Sequence, residues 1–397
     1  MKALLLALGV VLFASCGPVG GRCTPTNCPN GCCDEDGECQ SGREQNACGN
    51  GAGACSACSF GTSCQLGECI SWISGGGPGV DGGFILGGGA GGGSGGGGGA
   101  GGGAGGGSTS CDGTISGSRE AQVCHAFRCA RDNMSEGNWV GGNVASCVPG
   151  DMDNPGRANA LRLLNAYRFV AQLPQVVTDP ELNAKAQACA LMMDANNALS
   201  HHPPTSWLCY TADGDEAAAS SNISSGRGVR SIDMYMSDYG ASNALSLGHR
   251  RWFLSNSLGP VGIGSTSDSS CHWVIGGAGD AGRKWAAWPP AGPGPMSGLD
   301  FGPGFIEPID ATGWSVQSDT IALTNGAGDS TTAQVLVTDD GAVMPVTVYP
   351  LLRHYGSAYA IRFTPQGWTT QPGRTYHVEI TNISEPIIYD VQPVDCP

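Results

Sequence analysis

Lysine is almost absent from this chain. Only Lys2, Lys185 and Lys284 occur in 397 residues, and 19 basic groups face 34 acidic ones for a formal net charge of −15. A nucleic-acid binder needs a basic stripe to release phosphate counterions, and no such stripe can be assembled here. Adhesion to anionic lipid by charge is excluded on the same ground. Charged residues make up 13% of the chain, about half the usual share, so solubility rests on Ser, Thr, Asn, Gly and net negative charge. Long apolar runs are lacking too. Beyond the N-terminus no segment reaches the length a membrane-spanning helix requires. There is no dinucleotide fingerprint, P-loop, His-Glu-x-x-His or haem-attachment motif, and no Gly-x-Ser-x-Gly elbow set between a strand and a helix.

Cysteine, by contrast, is abundant. Nineteen residues are too many for a reducing compartment unless they hold metal. Met1-Lys2 followed by the apolar run Ala3 to Phe13 reads as an export signal. Its end, Phe13-Ala14-Ser15-Cys16, resembles the bacterial lipoprotein processing box, with Phe13 where leucine is usual. Lipidation at Cys16 would leave an even number of cysteines for disulfides. An ordinary signal peptide cut nearby is the alternative. The expected location is the cell envelope, through a lipid anchor in the membrane, or the extracellular space.

Composition divides the chain into six stretches. Residues 1–16 form the lipoprotein-type signal peptide and residues 17–70 a cysteine-rich module, with ten cysteines from Cys23 to Cys69 and almost no hydrophobic periodicity. Crosslinks must hold such a module. Cys55-x-x-Cys58 keeps a metal reading open beside the disulfide one. Residues 71–110 form a Gly-rich flexible linker, since 23 of the 33 positions from Gly75 to Gly107 are glycine. Residues 111–155 hold Cys111, Cys124, Cys129 and Cys147, with a helical stretch between Glu120 and Cys129.

Residues 156–291 carry the first real core. Leu161, Leu164, Tyr167 and Phe169 lie on a helical stripe after Asp153-Asn154-Pro155. A second helix is expected from Pro180 to Ala198 with Asp179 as its cap, a third from Val229 to Tyr239 stopped by Gly240, and a fourth through His249. Asp213-Gly-Asp-Glu216 reads as a wet loop that lacks the ligand pattern of a calcium site. Strand-like pieces follow at Val261–Gly264, Cys271–Ile275 and Lys284–Trp288. From residue 292 to 397 the period changes to two. Ile321–Thr324, Ala333–Thr338, Met344–Tyr349, Ala358–Phe363, Tyr376–Thr381 and Pro386–Val391 predict an all-β Ig-like sandwich. The fold class expected is therefore multidomain α+β.

The ordered text Asn165-Ala-Tyr-Arg168 with Leu173-Pro174, Leu199-Ser-His201, Ser221-Asn-Ile-Ser-Ser-Gly226 and Gly248-His-Arg-Arg-Trp252 resembles the CAP superfamily. That family includes the cysteine-rich secretory proteins, antigen 5 and the pathogenesis-related 1 proteins. The resemblance is in particular to a bacterial branch with a C-terminal sandwich-like extension. It implies an α-β-α sandwich whose cleft holds two histidines and two acids. His201 and His249 match the histidines. The family's Gly-Glu-Asn element reads here as Ser220-Ser221-Asn222, so one acid is lost, and Asp238 in Tyr235-x-x-Asp238 is a shortened match for the other.

The cleft-lining set is therefore His201, Ser221, Asn222, Asp238 and His249. No residue is confidently catalytic, and His201, His249 and Asp238 are the candidates. No cofactor is firm; His201 and His249 could hold a weakly bound divalent metal such as zinc, with Asp238 or water completing the shell. A Ser221-His201-Asp238 triad can be drawn but has no elbow or oxyanion hole. Asn222 is expected to serve backbone groups at a turn. Arg250 and Arg251 could grip an anion, although one structural ion pair and one solvated charge is the commoner outcome. Cys189, Cys209, Cys271 and Cys396 are disulfide candidates, with Cys189–Cys209 preferred over Cys209–Cys271.

The leading functional expectation is a surface-displayed, non-enzymatic binding module for a small apolar, peptide or envelope ligand. A metal-assisted hydrolase using His201, His249 and Asp238, and a purely structural surface protein, stand beside it.

Overall fold

The computed structural model describes residues 23–29, 31–34, 37–40, 43–44, 47–56, 62–65, 68–71, 111, 115–301 and 306–396. The signal peptide, Cys16 and the glycine tract lie outside the described residues. Two compact units are present: Met1–Cys58 with Cys64–Ile70, and Ser59–Ser63 with Ser71–Pro397.

The N-terminal part forms short hairpins: β1 (Cys32–Cys33) with β2 (Cys39–Gln40), β3 (Arg43–Glu44) with β4 (Ala47–Cys48), and β5 (Thr62–Gln65) with β6 (Glu68–Ser71). Disulfides Cys23–Cys33, Cys28–Cys39 and Cys32–Cys55 replace the missing core. The sulfurs of Cys23, Cys28 and Cys39 cluster closely enough for a metal, yet all three are oxidised and offer no thiolate. Cys55 is likewise spent on Cys32.

The second unit opens with α1 (Arg119–Arg131), β7 (Trp139–Val140) and β8 (Asp151–Met152). Helix α2 (Asn154–Val170) starts where Asp153 accepts from the Gly156 N–H and Pro155 occupies the first turn. Helix α3 (Pro180–Asn196) is capped by Asp179 and ends at Asn197 in the left-handed region. The expected wet loop at Asp213 is instead the first turn of α4 (Ala212–Ser220). Thr211 accepts from the Gly214 N–H there, and the acids sit where the helix dipole favours them.

Strand β9 (Ser221–Ser224) follows directly, then α5 (Gly228–Ser237) and α6 (Gly248–Phe253). Asp238, not Gly240, closes α5, at φ 56°. Strands β10 (Gly262–Ser265) and β11 (Ser270–Trp273) complete a three-stranded antiparallel sheet ordered β10-β11-β9. Gly262 and Gly264 let α3 lie directly on β10. A Cβ at either position would stand 2.3 or 2.2 Å from the α3 backbone.

The disulfide Cys189–Cys271 pins that contact inside a buried layer of Ala186, Ala190, Met193, Ala217 and Ile223. Both anticipated pairings of Cys209 are therefore wrong. The loop after α3 turns Cys209 toward Cys147, at a Cα separation of 5.0 Å. Cys396 reaches back to Cys124 on α1, 272 residues away in sequence, and Cys111 joins Cys129. A short-range rule could not find these pairs, because each joins elements that only the tertiary fold brings together.

The C-terminal region packs two sheets. One is β12 (Ala286–Trp288), β14 (Trp314–Ser318), β18 (Tyr359–Pro365) and β17 (Val346–Pro350), in that order. The other is β13 (Gly292–Pro295), β20 (Ile387–Val394), β19 (Tyr376–Thr381), β15 (Gln334–Asp339) and β16 (Ala342–Met344). The β13–β20 pair is parallel. Lys284–Trp288 thus contributes to this β region and not to the central domain. The first strand of this region therefore lies upstream of the expected boundary at residue 292. Ile321–Thr324 is irregular: Ser318 Oγ accepts from the Thr320 and Ile321 N–H groups and turns the chain. Pro345 splits the expected Met344–Tyr349 strand into β16 and β17, which belong to different sheets.

A continuous apolar core joins the helical layer to both sheets, including Tyr167, Phe253, Trp288, Trp314, Phe363 and Val378. Arg250 and Arg251 reinforce this junction. Arg250 donates to Met236 O, Ser237 O and Gly313 O, each at 2.7 Å. Arg251 donates to Ser246 O, Leu352 O and Ser357 O. Neither grips an anion nor stays solvated, contrary to both expectations. Each guanidinium is buried against carbonyl oxygens, and desolvation lowers both to about 10.

Candidate functional site

The two histidine segments both contact one short piece of chain. His201 lies on the loop after α3, and its Nδ1 is 2.8 Å from Ala218 O near the end of α4. His249 lies in the first turn of α6, and its main-chain oxygen accepts from Asn222 Nδ2 at 3.1 Å. Residues 218 to 222 therefore touch both histidine segments. Burial is the main cause that lowers the His201 pKa from its ordinary value, and the nearby His249 adds to it. The structure brings the His201 and His249 segments against the same five residues, Ala218 to Asn222.

Hydrogen bonding fixes the tautomers. A carbonyl accepts only, so His201 carries its proton on Nδ1. His249 Nδ1 lies 2.7 Å from Asp238 Oδ1 and donates to that carboxylate. Nε2 makes no hydrogen bond on either ring among the described residues. With the proton on Nδ1, each ring has its Nε2 lone pair left over and is steadied at Nδ1, as metal-ligating histidines usually are. Tyr235 stacks on His249 at 5.1 Å between centroids, which limits rotation of that ring.

Asp238 is not positioned as expected. Its side chain is fully buried, with Oδ1 accepting from His249 and Oδ2 from the Arg250 N–H at 3.2 Å. It orients His249 from behind and does not complete a metal shell. The imagined Ser221-His201-Asp238 triad fails with it, because Asp238 serves the other histidine. Ser221 is 2% exposed, and its Oγ has no hydrogen-bond partner. Asn222 lies in a strand, not a turn, although its amide does serve backbone. His202, next to His201, is exposed. Among the described residues no third His, Cys, Asp or Glu joins the two imidazoles in a metal-sized cluster.

One residue beside the site escaped sequence reasoning. His272 on β11 pairs across the sheet with Asn222. It lies edge-on to Tyr235 at 5.4 Å and receives or donates a hydrogen bond at 3.2 Å with Ser231 Oγ. Full burial lowers its pKa to about 3, so it is neutral at ordinary pH. Alternation within Cys271-His-Trp273 could have signalled it. With Cys271 facing α3, His272 must face the opposite layer.

The family model described as CAP, the cysteine-rich secretory protein family, matches residues 161–275. Residues 161–275 carry a CAP domain. No curated protein sequence matches the chain. Among solved structures, it is similar to an extracellular protein containing a SCP domain from Bacillus anthracis str. Ames. That likeness has 21% identity and a TM-score of 0.24, and covers 30% of this chain and 39% of the other. The CAP match spans α3 to β11, with most of α2, and so contains every candidate site residue. The disulfides of the chain fit an exported protein.

Proposed function

We propose that the protein is an exported, non-enzymatic binding module, held at the cell envelope through Cys16 and extended from it by the glycine tract. Its CAP domain presents His201 Nε2 and His249 Nε2 as a two-donor site for a labile divalent cation. A peptide or envelope ligand with its own oxygen or nitrogen donors would complete the shell. A bound cation would supply Lewis acidity toward such a ligand oxygen. The residues of this chain supply orientation: Ala218 O and Asp238 hold the rings, and Tyr235 backs one of them.

One observation carries the reading. Both oxygens of Asp238 are already committed, to His249 and to the Arg250 N–H, and Ser221 stands where the resemblance predicts the second acid. A hydrolase built on this pair would need a carboxylate free to take a proton from water, and neither position supplies one. Only two donors also imply weak binding.

Purified protein is expected to turn over no generic peptide, ester or glycan substrate, with or without added zinc. Turnover that disappears in the H201A/H249A double variant would replace this reading with the hydrolase.

A further inference from the structure

A cleft on the second unit lies apart from the histidine pair, with neither His201 nor His249 in its lining. It measures about 380 Å³ and is lined by Pro149, Ala188, Leu191, Thr205, Trp207, Tyr210, Thr211 and the Cys147–Cys209 disulfide. Its volume falls within the range of small-molecule sites, about 300–1,000 Å³. We propose that this cleft binds a short neutral oligosaccharide, one sugar ring stacking on Trp207.

Four features select that chemistry. The first is charge: no ionisable side chain other than the Tyr210 phenol lines the cleft, in a chain of net charge −15. A cationic or anionic ligand would find no partner there. Second, the floor is apolar while the aromatic residues are amphipathic. Trp207 and Tyr210 pack partly against the Ala186–Met193 layer and leave the rest of each ring to the cleft. A pyranose matches this, with C–H groups on its faces and hydroxyls at its edge.

Third, hydrogen-bonding capacity is left over at the rim. The Trp207 indole N–H makes no hydrogen bond among the described residues, and neither does the exposed Thr205 hydroxyl. The cleft is also open to solvent, with Cys147, Thr205 and Thr211 exposed on its rim. An aliphatic chain gains most from an enclosed tunnel, whereas a polyhydroxylated ligand keeps its outer edge in water.

Fourth, the loop is held in shape before any ligand arrives. Asn196 donates to Leu208 O at 3.0 Å and accepts from the Leu208 N–H at 3.0 Å. Trp207 N–H donates to Pro204 O, and Tyr210 OH donates to Asp215 Oδ2 at 3.0 Å. The Cys147–Cys209 bridge closes the far side, with both cysteines at positive φ. A fixed loop reduces the ordering cost of binding.

The test uses the full-length, oxidised protein and follows tryptophan fluorescence and heat on titration. The probes are neutral cello-, chito- and laminari-oligosaccharides, with an oligogalacturonate as the anionic control. At least one neutral probe is expected to bind, roughly tenfold or more weakly in W207A and within about threefold of wild type in W207F. Peptide mapping of Cys147–Cys209 verifies that each variant is folded. The proposal is overturned if no neutral probe titrates at millimolar concentration. Equal affinity in W207A, or equal affinity for the anionic control, overturns it too.

Discussion

His249 Nδ1 lies 2.7 Å from Oδ1 of Asp238, whose side chain is completely buried. One carboxylate thereby sets the tautomer and the direction of a partly exposed imidazole. D238N keeps a residue that tolerates the left-handed backbone at this position, but it exchanges a charged acceptor for a neutral amide. Zinc affinity is expected to fall about 10- to 100-fold in D238N, as read by calorimetry. An unchanged affinity would mean that Asp238 is a helix-end residue with no bearing on the site.

Acid sensitivity should trace to His272. Its folded pKa is about 3, far below the ordinary 6.5, because burial disfavours the cation. Below 6.5 the unfolded chain takes up a proton that the native state refuses. Stability conferred by the neutral ring is complete above that pH and is lost as pH falls toward 3, by at most about 1.4 kcal/mol per unit. Urea midpoints measured from pH 7 to 4.5 should therefore drop more steeply in wild type than in H272Q. Parallel curves would contradict the assignment.

Arg250 joins the CAP domain to the C-terminal sheets through Gly313 O and Ser315 Oγ as well as through the α5 carbonyls. R250L would leave several buried oxygens without donors, at about 1–3 kcal/mol each. The two regions share one core, so calorimetry should show a single transition, lowered as a whole. Two resolved transitions would show that they unfold independently.

The Cys124–Cys396 bridge closes the longest loop among the described disulfides, with a sequence separation of 272. Chain entropy puts such a crosslink at the upper end, about 5 kcal/mol, before shortening by other bridges. C124S/C396S should unfold at clearly lower urea while non-reducing maps still show Cys189–Cys271. A midpoint identical to wild type would leave the bridge without a stabilising role.

Local chemistry was legible in the sequence where the deciding contacts are themselves local. Asp153-Asn-Pro155 and Asp179-Pro180 fix helix starts by capping, and the structure follows them closely. Thr211 was equally good as a cap, yet the acids after it read as a loop because the apolar face of α4 is built only from alanines. Pro345 marks a corner between sheets, which sequence reads as a continuous strand because its alternation survives the break. His201 and His249 could be named from the CAP resemblance. Which of them Asp238 serves depends on how α5 and α6 pack, and no spacing encodes that. The disulfides show the same limit: parity predicts oxidation, while Cys147–Cys209 and Cys189–Cys271 depend on tertiary contact.

The shared imidazole site is tested most directly by zinc calorimetry on wild type, H201A and H249A at pH 7.4 and 5.5. One site is expected at neutral pH, with a dissociation constant in or above the micromolar range. It should weaken roughly tenfold or more in either variant, and be largely lost at pH 5.5 as protons compete for the ring nitrogens. Wild-type affinity retained in H201A would contradict the account and leave the two histidines as separate structural residues.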